Sequence, residues 1–155
     1  MNKQTLEREW KYFRMVLGVS RRLVEQIPED KLDFRPSPEV RTASELVVHA
    51  FTYLTESVAT VAAGKQVDPG EPKIEKKAEL LNWIDKQVES AFAGFEKLTD
   101  EQLAAKISVW GESFHGWQLL DFAYQEHLHH RGQLTVYLRL MGIAPIFIYD
   151  FGEQG

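Results

Sequence analysis

Residues 117–141 read WQLLDFAYQEHLHHRGQLTVYLRLM, and the spacing of apolar positions in this stretch decides the fold. Placed on a wheel at about 100° per residue, Leu119, Leu120, Ala123, Leu134, Tyr137, Leu138 and Met141 share one arc, with Asp121, Gln125, Gly132 and Arg139 opposite. That period belongs to an amphipathic helix, about 37 Å long at ~1.5 Å per residue. A helix of this length with one apolar face must bury that face against other elements. His130 lies near the middle of the arc, Glu126 and His127 lie toward its two sides, and His129 points to the polar side. Gly132 costs about 1 kcal/mol relative to alanine inside a helix, so its presence points to close backbone approach by another element.

Three more helices precede this one. Leu6, Trp10, Phe13, Leu17, Ser20, Val24 and Ile27 step by three and four, with one small polar member, and Pro28 ends the run. Pro28, Pro36 and Pro38 then make residues 28–40 an extended connector. Thr42 and Glu45 have the spacing of a capping box. They open a second helix, to about Ala63, whose stripe is Leu46, His49, Ala50, Tyr53, Leu54, Ser57 and Val61, with Gly64 at its stop. After a turn-rich link over Val67 to Pro72, a third helix runs from about Lys76 to Leu98 with Leu81, Ile84, Val88, Ala91, Phe92, Phe95 and Leu98 on one face. Thr99-Asp100-Glu101 interrupts it. Residues 104–116 carry no decisive pattern: Lys106 to Trp110 fits a short strand and Gly111 to Gly116 a loop. Beyond the last helix, Ile146, Phe147, Ile148, Tyr149 and Phe151 form an apolar tail that must pack back on the bundle or cover a partner subunit. With no internal repeat, the simplest architecture is all-α, a four-helix bundle formed by residues 1–155 as one domain.

Composition narrows the chemistry. The 155 residues include no cysteine, so a bound metal must take nitrogen and oxygen ligands. The net charge of -5 and the absence of a clustered Lys/Arg stripe argue against nucleic acid as a partner. The charged start MNKQTLEREWKYF is no signal peptide, and no stretch approaches the length of a membrane span, so a soluble cytoplasmic protein is expected.

Three of the five histidines fall within residues 127–130. An unpaired carboxylate or imidazole in an apolar interior costs several kcal/mol, so Glu126 and His130 need a partner on another helix. His49, between Leu46 and Tyr53 on the second helix's stripe, is the obvious one. A divalent cation between His49, Glu126 and His130 would neutralise the acid and use both imidazole lone pairs, leaving positions open for water or substrate. Two plainer readings stand beside it. A core histidine is most often a hydrogen-bonded packing residue, and Glu126 could instead pair with Arg22, Arg35 or Arg131 as a buried ion pair. His129 reads as solvent-facing, His115 as a loop residue or substrate contact, and Trp10, Trp83, Trp110 and Trp117 as core or interface residues.

The run His129-His130-Arg131-Gly132-Gln133-Leu134, continuing through Tyr137-Leu138-Arg139 to Gly142-Ile143 and Pro145, resembles the DinB/YfiT-like superfamily of bacterial four-helix proteins. Thr42 to His49, Pro28 to Leu32 and Gly116-Trp117 extend the resemblance over the whole chain. It implies an up-down-down-up bundle, frequent homodimers, and a divalent metal, nickel or zinc, held by one histidine on the second helix and two spaced four apart on the fourth. His49 and His130 match the first and last of these. The middle position falls on Glu126, where a histidine is usual, and His127 is displaced from it by one residue. Either Glu126 binds as a carboxylate, or a small helix rotation lets His127 serve, or the site is degraded. Relatives of this kind include thiol S-transferases that use low-molecular-weight thiols and a thiol-dependent isomerase. The resemblance thus implies a metal-dependent enzyme of thiol-transfer or hydrolytic type, its pocket lined by aromatics such as Tyr53, Trp110 or Tyr137. The competing expectation is a non-catalytic dimeric module built around a His/Glu ion-pair network.

Overall fold

Residues 1–152 are described by a computed structural model. Four long helices, α1 (Lys3–Glu25), α2 (Ala43–Ala63), α3 (Lys77–Glu96) and α5 (Gly116–Leu140), make up most of it. Between α3 and α5 lie a short helix α4 (Asp100–Ala104) and an antiparallel hairpin of β1 (Lys106–Val109) and β2 (Glu112–His115).

The helix starts follow from capping chemistry. Asn2 accepts the amide of Thr5 at the head of α1. At α2, the Glu45 amide donates to Thr42 Oγ1 (3.2 Å) and the Thr42 amide to Glu45 Oε2 (2.8 Å), the reciprocal pairing expected of a capping box. Gly64 ends α2 at φ +66°, a conformation that costs glycine little. The Thr99-Asp100-Glu101 interruption is a second capping box, Thr99 with Gln102, that starts α4.

The segment 104–116 is the hairpin. Its register pairs Lys106 with His115 and Val109 with Glu112, burying Ile107 and Val109 on one side. Trp110 and Gly111 form its two-residue turn with both φ positive, +55° and +82°. Gly116 is required where the hairpin enters α5, because a Cβ there would lie 2.5 Å from the Gln102 carbonyl oxygen.

Every stripe residue read on α1, including Ser20, is buried. Trp10 stacks on Phe95 of α3, centroids 4.4 Å apart and planes 5° from parallel. The most extensive helix contacts are α2 with α5 and α2 with α3, so α2 is the central element and lays its His49 side against α5. One expectation is corrected here: Ala43–Ala63 is long and apolar enough to cross a membrane by length and composition. Its apolar surface is mostly buried against the neighbouring helices.

Two further expectations change. A Cβ at Gly132 would meet nothing within 4 Å among the described residues, so no close backbone approach requires the glycine there. The apolar tail divides in two: Ile146, Ile148 and Phe151 pack against the core, whereas Phe147 and Tyr149 remain 69% and 58% exposed. Gln26 ties the tail's start to α1, donating to the Ala144 carbonyl (3.1 Å) and accepting the Ile146 amide (2.9 Å).

Candidate metal centre

Because α2 lies along α5, His49 meets His130, with ring centroids 4.6 Å apart and planes at 78°. One turn before His130, Glu126 reaches the same place, its Oε2 3.3 Å from His130 Nε2. One ligand atom from each of His49, Glu126 and His130 lies within 4.8 Å of the others. The wheel put Glu126 inside the apolar arc, but its side chain is 47% exposed, so it stands at the rim while the His130 side chain, 7% exposed, forms the floor. The i, i+4 step along α5 puts Glu126 and His130 on one face of the helix.

Hydrogen bonding fixes which nitrogen of His130 is free. Its Nδ1 lies 2.8 Å from Gln133 Oε1 and donates to it, and Gln133 Nε2 lies 3.3 Å from the His129 ring. In the neutral imidazole this leaves Nε2 with a lone pair. Burial lowers the pKa of His130, with the Gln133 hydrogen bond opposing, so the neutral form is favoured. Nε2 is buried and has no hydrogen-bond partner among the described residues, and the Glu126 carboxylate oxygen faces it at 3.3 Å. A lone pair facing a carboxylate is repulsive, and a cation between them reverses the sign.

The dimensions fit such an ion. Ligand atoms ~2.1 Å from a tetrahedral ion stand roughly 3.4 Å apart, the spacing that Glu126 Oε2 and His130 Nε2 already have at 3.3 Å, and the His49 ligand atom lies within 4.8 Å of both. Nitrogen and carboxylate oxygen are also donors that zinc and nickel accept. An arginine ion pair does not form at Glu126 among the described residues. Arg22 pairs instead with Asp150 (3.8 Å), and Arg35 with Glu45 (3.8 Å).

His127 occupies a different environment. It is 2% exposed, its Nε2 lies 2.7 Å from Ser20 Oγ, and its Nδ1 lies 3.4 Å from the Ala50 carbonyl oxygen. Nδ1 faces the Ala50 carbonyl and Nε2 the Ser20 hydroxyl, which also lies 3.1 Å from the Val16 carbonyl, so each ring nitrogen has a polar neighbour. Phe13 and Phe51 close over the ring edge-on, at 5.5 and 5.1 Å. Burial pushes its pKa down to about 3, which holds the ring neutral. The structure therefore places His127 outside the cluster: one residue along α5 is a 100° rotation, which turns it toward α1. Ser20, the single polar member of the α1 stripe, was the available signal for this partner.

The surroundings add residues that helix periodicity cannot reveal. Glu71, on the link between α2 and α3, lies 2.5 Å from His49 Nδ1, and Arg41 Nη2 lies 3.4 Å from the same atom. The Tyr137 hydroxyl donates to the Arg41 carbonyl at 2.8 Å, bracing the segment that carries Arg41. Tyr53 is half-buried, and burial, followed by the Glu56 and Glu126 carboxylates, raises its pKa, so it stays a neutral phenol. The exposed indole of Trp110 lies nearly parallel to the Tyr53 ring, centroids 6.0 Å apart. His115 is distant from the cluster: its Nδ1 donates to the Ala104 carbonyl at 2.7 Å and its ring stacks on Trp117. It ties the end of the hairpin to the end of α4.

Comparison with known proteins agrees with this architecture. The profile of the DinB family matches residues 1–154. The uncharacterised protein YjoA of Bacillus subtilis (strain 168) is 33% identical over 137 residues, covering 86% of this chain and 88% of its own length. The crystal structure of a DinB-like protein, YjoA from Bacillus subtilis, superposes with a TM-score of 0.74 at 29% identity, covering 85% of this chain and 90% of that one. That of a DinB-like protein from Bacillus cereus ATCC 10987 does so with a TM-score of 0.80 over 96% of this chain and all of the other, and at 16% identity it speaks to the fold alone.

Proposed function

This chain belongs to the DinB family, and from that premise we propose that it is a metal-dependent enzyme of thiol-transfer or hydrolytic type. His49, Glu126 and His130 would hold a divalent ion, nickel or zinc. The observation that carries this reading is the buried, unpartnered Nε2 of His130 facing the Glu126 carboxylate. A bound divalent ion lowers the pKa of a coordinated thiol or water and so supplies a nucleophile near neutral pH.

The chain's own residues would do the rest. Gln133 holds the His130 ring with Nε2 directed at the cluster. Glu126, half-exposed, keeps the cluster in reach of solvent and so of a small substrate. Tyr53, kept protonated, offers a hydroxyl donor near Glu126, and Trp110 extends that aromatic wall outward. The exposed Arg41 guanidinium gives the opposite side a positive charge suited to an anionic group on a low-molecular-weight thiol. A cytoplasmic setting suits this reading, because thiols are kept reduced there.

The test is metal content after purification without added metal, for the wild type and His49→Ala. A stoichiometric divalent metal in the wild type, lost from the variant, is expected; equal and negligible metal in both would remove the proposal.

A homodimer belongs to the same reading. Val136 and Leu140 of α5 and Phe147 and Tyr149 of the tail are all more than half exposed, a surface whose burial against a second copy is favourable. Truncation after Pro145 should therefore give a monomer by sedimentation, and a truncated chain that remains dimeric would exclude the tail from the contact.

A further inference from the structure

We infer that Glu71 is a positioning residue for the metal centre, fixing the tautomer and ring orientation of His49 from outside the coordination sphere; this rests on the metal-binding reading above. Glu71 Oε1 lies 2.5 Å from His49 Nδ1. A lone pair on Nδ1 facing a carboxylate oxygen at that distance would be repulsive, so the nitrogen there carries the proton. In the neutral ring that a metal requires, the lone pair of His49 is then on Nε2. His130 is in the same condition, with Nδ1 tied to Gln133 and Nε2 free. Both histidines thus have one ring nitrogen engaged by an oxygen acceptor and the other left to serve as ligand, the arrangement in which a second partner makes an imidazole a better-aimed and more basic donor.

The link that carries Glu71 is built to hold it still. At one end the Val67 amide donates to Thr60 Oγ1 (3.1 Å), and at the other Ser44 Oγ donates to the Ile74 carbonyl (2.6 Å), with Ile74 buried. Between these tethers Gly70 turns the chain at φ +74°, its amide donating to Asp68 Oδ1 (2.8 Å). Pro69 and Pro72 flank the Gly70-Glu71 pair and restrict its backbone further. A surface ion pair made by a flexible side chain on a free loop contributes little. Here the backbone on both sides of the carboxylate is anchored to α2, the helix that bears His49.

Zinc ions at pH 7.5 are the probe, titrated against a chromophoric chelator into the full chain as wild type, Glu71→Gln and Glu71→Ala. The expected loss for Glu71→Ala is about 10–100-fold in affinity, and Glu71→Gln, which keeps an oxygen acceptor for Nδ1–H, should recover most of it. Cobalt(II)-loaded wild type and Glu71→Ala should show the same visible d–d band positions, because the directly bound atoms are unchanged. Wild-type affinity in Glu71→Ala would overturn the inference while leaving the metal site standing. A shifted cobalt spectrum would overturn it in favour of direct coordination by Glu71. A wild type that binds no zinc would remove the metal reading and this inference together.

Discussion

His127 and His130 share one helix, three residues apart, and both are buried, yet they are chemically unlike. His127 is enclosed by Phe13 and Phe51, and both its nitrogens have partners, Ser20 and the Ala50 carbonyl. His130 has one nitrogen satisfied by Gln133 and the other left facing an acid. Burial is common to both. What separates a packing histidine from a ligand is an unfilled lone pair, together with a second donor set to share whatever fills it.

Substituting each histidine separately puts this contrast at greatest risk. His130→Ala should weaken divalent-metal binding by at least about 100-fold, because one of three protein ligands is lost, whereas His127→Ala should keep wild-type affinity within a few-fold. Calorimetric titration checks both, and comparable losses in the two variants would erase the distinction.

Folding stability should reverse the order. His127→Ala removes a fully enclosed ring together with its contacts to Ser20 and the Ala50 carbonyl, so a destabilisation of about 2–4 kcal/mol is expected in urea at pH 7.5 without metal. Metal-free His130→Ala should lose less, since Nε2 is already without a partner. The pH dependence sharpens this further. With a folded pKa of about 3 against about 6.5 unfolded, His127 binds its proton only in the unfolded chain between those values. Its contribution to stability is therefore constant above about pH 6.5 and falls by up to about 1.4 kcal/mol per unit as the pH drops toward 3. Urea midpoints at constant ionic strength from pH 7.5 to 4.5 should carry this slope in the wild type and lose that part of it in His127→Phe. Parallel profiles would mean that another group titrates.

Much of this was legible in the sequence because helix periodicity converts spacing into direction. The arc of residues 117–141 placed His127 and His130 inward, and the stripe on α2 placed His49 toward a neighbour. Periodicity ends where helices end. Glu71 lies in a turn among prolines, where no repeat says which way a side chain points, and its contact with His49 depends on tethers at residues 44 and 60. The hairpin was hidden for a similar reason: strands of four residues are too short to show alternation, and its turn places a tryptophan, not a glycine or asparagine, at φ +55°. The distinction between Glu126 at the rim and His130 on the floor depends on how deeply two helices interlock, which a wheel drawn for one of them omits.

The pairing of α2 with α5 also has a temporal consequence. His49 is synthesised early and can take up its helix while the ribosome is still working, but the residues opposite it belong to the last long helix to emerge. Until then the nascent chain presents a lone imidazole with little grip on any ion. An ion that needs His49, Glu126 and His130 together would be held only once α2 and α5 have paired.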